Sequence, residues 1–127
     1  MIWGNDKDVV LAAVKNNGLS LQYASDNLRN DVDVVLSAVQ QNGMALEFAL
    51  GKLRKDKNII MEALQQCGMA LKFSDKKWDN KNLVWTAVKN NGLSLQYASG
   101  NLRNDVDVVM SAVQQNGLVL EFLHLKI

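Results

Sequence analysis

The chain has 127 residues, 48% apolar and 21% charged, and its 14 basic against 13 acidic residues leave a formal net charge of +1. That balance excludes global disorder and offers no concentrated basic charge of the kind nucleic acid asks for. One cysteine, Cys67, rules out an internal disulfide, and one cysteine with one histidine cannot make a Cys/His zinc site.

Residues 1–5 read as the tail of a preceding unit, with Trp3 in the place that Leu28, Leu53, Trp78 and Leu102 hold at the end of later ones. Units then follow at 6–30, 31–55, 56–79, 80–104 and 105–127, together a single repeat array over 1–127. A glycine punctuates each, and Gly18, Gly43, Gly68, Gly92 and Gly117 lie 25, 25, 24 and 25 residues apart. The third unit is one residue short, just after Trp78.

The first half of each unit predicts an α-helix. Asp6, Asp31, Asp56, Asn80 and Asp105 stand where an N-cap belongs, their short oxygen side chains suited to the orphan N–H groups of a first turn. In the second unit Asp33 adds negative charge at the positive end of the helix dipole. Val34, Val35, Leu36, Ala38 and Val39 cover about 200° of the helical wheel, more than a surface helix needs and suited to one wedged between neighbours. Ala13, Ala38, Ala63, Ala87 and Ala112 recur at one position, which fits close helix approach and equally alanine's high helix propensity. Gly43 is expected to end the helix as a left-handed C′ residue, with Met44 packing back on the last turn.

The second half, 44–55 in the second unit, holds no β-branched residue and many helix formers. Leu46, Ala49, Leu50 and Leu53 fall at i, i+3, i+4 and i+7, which predicts a second helix of about two turns. The reading is all-α: an α-solenoid of about five helix–turn–helix repeats of ~25 residues. The alternative is a helix–strand solenoid like the leucine-rich repeats, since Asn-Gly is also a hairpin signal and Met44, Leu46 and Phe48 alternate. One unit cannot stand alone, because a helix of about 11 residues is marginal in water. Leu21, Leu46, Leu71, Leu95 and Leu120, and Tyr23, Phe48, Phe73, Tyr97 and Phe122, are expected to form continuous seams between units.

Val14–Phe48 and Val88–Phe122 match at 31 of 35 positions, differing at Asp26/Gly100, Leu36/Met110, Met44/Leu118 and Ala45/Val119. Surface letters match as well as packed ones, which recent copying of a three-unit block explains without a ligand.

The spacing Asp31-Val34-Val35-Ala38-Val39-Asn42-Gly43-Leu46-Phe48-Ala49-Leu53-Arg54-Asp56 resembles the short helical repeats grouped as domain of unknown function 4116. The likeness runs over essentially the whole chain and implies tandem helical units; it implies no activity. The third unit departs from it, with Trp78 and Asp79 in place of Leu-Arg and Asn80 in place of the cap aspartate.

No catalytic, cofactor-binding or metal-binding residue is expected. His124 stands among Leu123, Leu125 and Ile127 with no obvious partner, Cys67 takes the place of an asparagine, and each glycine stands alone rather than in a phosphate loop. The chain therefore reads as a non-catalytic scaffold for a protein or peptide, its variable solvent-facing letters carrying recognition. Gln22, Glu47, Lys72, Gln96 and Glu121 form one such series, and Ala12, Ser37, Glu62, Thr86 and Ser111 another. The alternative is a nucleic-acid array read by Arg29, Arg54 and Arg103, a series that Asp79 breaks. A third reading is a consensus-like or designed repeat with no specific ligand. Leu123, Leu125 and Ile127 predict an improvised cap or end-to-end self-association. The start, MIWGNDKD, shows no secretory signal, and with no apolar span an intracellular, cytoplasmic protein is expected.

Overall fold

A computed structural model describes residues 3–74 and 79–125, the side chains of Phe122, His124 and Leu125 excepted. Trp78, expected to close the third unit, and Ile127, expected in the C-terminal cap, lie outside the described residues, as do those three side chains.

Five ten-residue α-helices carry the array: α1 (Lys7–Asn16), α3 (Val32–Gln41), α4 (Lys57–Gln66), α5 (Lys81–Asn90) and α7 (Val106–Gln115), with the short α2 (Asp26–Arg29) and α6 (Gly100–Arg103) between units. Each long helix starts as its cap residue dictates. The carboxylate or amide oxygens of Asp6, Asp31, Asp56, Asn80 and Asp105 accept from the N–H groups of Val9, Val34, Ile59, Leu83 and Val108 at 3.1–3.2 Å. Successive long helices pack side by side, α1 on α3, α3 on α4, α4 on α5 and α5 on α7. This is an all-α repeat solenoid, and among the described residues no strand element interrupts it.

The second half of the unit differs from expectation. Gly18–Tyr23, Gly43–Phe48, Gly68–Phe73 and Gly92–Tyr97 are 3-10 helices rather than two α-turns. The buried stripe explains why: Gly18, Leu21 and Ala24 are buried, as are Gly43, Leu46 and Ala49, and Gly92, Leu95 and Ala98. A buried residue at every third position fits three residues per turn, where side chains at i and i+3 eclipse. These 3-10 helices pack in their own row. Short helices then close the units, burying Leu28, Leu53 and Leu102. In the last unit the segment after Gly117 is instead an α-helix, α8 (Val119–Leu125).

Gly43 is not a left-handed cap. The described glycine with positive φ is Gly51, at 63°. The α-helix stops one residue earlier, on Asn42, whose extended backbone (φ −151°) still donates its N–H to the Ala38 carbonyl. Its side-chain oxygen then accepts from the Met44 N–H at 3.0 Å and starts the 3-10 helix. Asn17 and Asn91 do the same for Leu19 and Leu93, and Asn116 accepts likewise from the Leu118 N–H ahead of the last unit's turn. Cys67 holds the same backbone conformation but provides no such cap.

The leucine seam is continuous where a unit follows: Leu21, Leu46, Leu71 and Leu95 are buried, whereas Leu120 is exposed. The aromatic seam is not a core seam. Phe48, Phe73 and Tyr97 are half-buried and Tyr23 is 73% exposed. At the N-terminal end, the Gly4 carbonyl accepts from Ser25 N–H at 2.7 Å, as the Arg29 carbonyl accepts from Leu50 N–H at 2.9 Å. Residues 3–5 thus occupy the place of a preceding unit's tail.

Candidate partner-facing strip on the 3-10 layer

Several side chains serve the joint between units. The Arg29 and Arg54 guanidiniums donate from Nε to the Phe48 and Phe73 carbonyls, at 2.8 and 2.9 Å, holding the end of the next unit's 3-10 helix. In the third unit Asp79 stands in the arginine's place and accepts from the Ser99 hydroxyl at 2.7 Å. Lys7 reaches the next unit's cap, 3.1 Å from Asp31 and 3.3 Å from Asp33, and Lys81 repeats this on Asp105 and Asp107 at 3.1 and 3.3 Å.

Those ion pairs shift the groups that form them. The Asp31 and Asp33 carboxylates hold the Lys7 ammonium above its ordinary range, and Asp105, with Asp107, does so for Lys81. Partial burial pushes the Asp31 carboxyl up, but the Lys7 ammonium and the Val34 N–H outweigh it, so the net direction is down. The Val108 N–H, then Lys81, lowers Asp105.

What remains free is a strip along the 3-10 row. Gln22, Glu47, Lys72, Gln96 and Glu121 are all exposed. Repetition lines up the first four, each followed in sequence by an aromatic: Tyr23, Phe48, Phe73 and Tyr97. The Gln22 and Gln96 amides donate back to the Leu19 and Leu93 carbonyls at 3.1 and 3.0 Å, and the Lys72 ammonium stands 5.0 Å from the Phe73 ring centre. The second series is less free: Ala12 is exposed, but Ser37, Glu62, Thr86 and Ser111 are half-buried. Thr86 donates its hydroxyl to the Asn82 carbonyl at 2.8 Å, and the Ser111 hydroxyl accepts from the Trp85 indole at 2.8 Å.

The sequence placed the aromatics in the core and so missed them as surface. The usable signal was tyrosine at two of the five positions, since its hydroxyl suits a wet edge better than a sealed seam. Among the described residues no three His, Cys, Asp or Glu side chains gather as a metal site, and no helix is long and apolar enough to cross a membrane.

A family model described as Domain of unknown function (DUF4116) matches the chain three times, over residues 6–54, 38–78 and 80–127. The first and last matches each span two units. No curated protein and no solved structure matches the chain.

Proposed function

The chain belongs to the DUF4116 family, and from that premise we propose that it is a non-catalytic repeat scaffold whose 3-10 row binds a protein or peptide laid across the units. The observation that carries the reading is the division of labour among side chains. The recurring aspartates and asparagines cap helices, and the glycines, alanines and two of the arginines serve the joints, whereas the variable letters Gln22, Glu47, Lys72 and Gln96 stand exposed, each next to an exposed or half-buried aromatic. Aromatic residues with polar neighbours are what binding surfaces enrich, because a ring brings large apolar area with few rotatable bonds.

The nucleic-acid reading loses its ladder, since the Arg29 and Arg54 guanidiniums point into the next unit's backbone. Absence of salt-dependent filter binding at low ionic strength would end it.

Peptides selected from a random display library against the chain test the proposal. Selected binders are expected to lose about tenfold or more in affinity on Phe73→Ser or Tyr97→Ser, the cost of removing an anchor side chain. They are expected to be indifferent to Lys15→Ala and Lys89→Ala on the α-helical row. Binders that track the lysines and ignore the aromatics overturn it.

A further inference from the structure

The joint between units has two halves, and among the described residues one of each stands unmated. In the mated joints, the carbonyl oxygens of Ala38, Ala63, Ala87 and Ala112 lie 2.4, 2.3, 2.2 and 2.3 Å from where a Cβ would stand on Gly18, Gly43, Gly68 and Gly92. The Gly18, Gly68 and Gly92 N–H groups donate across the joint to the Gln41, Asn90 and Gln115 side-chain oxygens at 2.5, 2.6 and 2.5 Å. Among the described residues nothing lies within 4 Å of the Cβ position of the fifth glycine, Gly117. The first alanine, Ala13, is exposed where its four equivalents are fully buried.

The surrounding side chains divide in the same way. On the forward face, Leu120 is 64% exposed where Leu21, Leu46, Leu71 and Leu95 are buried, and Val109 is half-buried where Val35, Ile60 and Val84 are fully buried. On the rear face, Val9 is 40% exposed where Val34, Ile59, Leu83 and Val108 are buried. A shallow cavity of about 220 Å³ opens there among Trp3, Val9, Ala13 and Tyr23. The two end faces are the two sides of an interface that the molecule already makes four times within itself.

We propose that two copies of this chain join head to tail through these faces. Gly117 of one copy seats on the Ala13 carbonyl of the second, and its N–H is donated to Asn16 of the second copy, which holds the position of Gln41, Asn90 and Gln115. This places the contact on Gly117, Leu118 and Leu120. The contact is heterologous, so it does not close on itself, and assemblies lengthen with concentration. Joining rewinds the last unit's α-helical second half to the 3-10 form of the covered units.

Sedimentation of the full chain and two variants tests this. Gly117→Val puts a branched side chain where the Ala13 carbonyl must come, yet in the single chain no described atom lies within 4 Å of its Cβ position. Ala13→Glu puts a charge on the rear face at an exposed position. The unaltered chain is expected to gain mass continuously up to about 1 mM, the weak end of specific association. Each variant is expected to stay monomeric with an unchanged thermal melt. Their equimolar mixture is expected to double in mass and stop there, because the intact forward face of Ala13→Glu meets the intact rear face of Gly117→Val. A monomer at all concentrations, a closed dimer that persists in Gly117→Val, or a mixture that stays monomeric each overturns the proposal.

Discussion

Gly43 and Ala63 meet backbone to backbone across a unit joint: a Cβ on Gly43 would stand 2.3 Å from the Ala63 carbonyl oxygen and 3.2 Å from Cys67 Cβ. Neither neighbour can yield cheaply, because the carbonyl also accepts the Cys67 N–H at 2.8 Å and so belongs to the helix end. Gly43→Ala is therefore expected to destabilise by about 3 kcal/mol, the upper part of the ordinary range for overpacking. Gly117→Ala, at the same place in the repeat but facing open space, is expected to change stability by no more than about 1 kcal/mol, in the stabilising direction. Urea titrations of the two variants make the comparison, and equal losses would show that the glycine serves local conformation instead.

This contact also shows where reading the sequence stopped short. Capping was legible because it is local: an oxygen side chain and the N–H three residues on lie in one stretch of chain. The α-helical row was legible from its wide apolar arc for the same reason. The glycine stands out in the sequence, but its reason lies 20 residues away in the next unit, and a left-handed cap is the nearest local explanation. The 3-10 helix is not legible as such, because i, i+3 spacing serves both helix types. Leu50, at i+4 from Leu46, supplied the α-like sign, yet Ser25 and Ser99 stand at that position in other units. The candidate strip was half legible. Its polar letters stood out by varying, whereas its aromatics recur and were assigned to the core.

Among the 3-10 helices that directly follow a long helix, the one that starts at Cys67 lacks the side-chain cap the others have. Asn17, Asn42 and Asn91 each accept from the N–H two residues on at 3.0 Å, and the Cys67 side chain makes no such bond. Its backbone already has the cap conformation, with φ −153° against −151° at Asn42. Cys67→Asn is expected to stabilise the chain by about 1 kcal/mol, the usual worth of a side-chain cap. Cys67→Ala is expected to give none of that gain. A higher urea midpoint for the asparagine variant alone checks it, and equal midpoints would count against the cap.

The Arg29 guanidinium bonds the Phe48 carbonyl from one unit to the next, at a half-buried position. Arg29→Met keeps much of the apolar stem and removes the donor. A charge-assisted bond of this kind is worth about 1.5–3 kcal/mol, and the partial exposure of Arg29 puts the expected loss near the bottom of that range. The loss is read by hydrogen exchange as faster opening of the first two units than of the last two. Uniform acceleration along the array would mean that the bond does not act at this joint.

The lysine clamps give the array a defined response to pH. Asp31 and Asp105 are shifted below the ordinary 3.8, so their contribution is present above that value and is lost as pH falls through the lower folded-state value. Lys7 and Lys81 are shifted above 10.5, so theirs is present below that value and is lost as pH rises through the higher folded-state one. Stability is thus expected to be flat between about pH 5 and pH 10 with respect to these groups, and to fall on both sides. Lys7→Met with Lys81→Met removes the alkaline fall that belongs to the clamps. The acid fall is reduced but remains, because the Val34 and Val108 N–H groups still bond the ionised caps. Salt at about 1 M should shrink the clamp contribution while leaving the cap bonds in place, since exposed ion pairs are screened and short hydrogen bonds far less so. Thermal melts across pH at low and high salt separate the two, and an alkaline limb unchanged in the double variant would remove the clamps from the account.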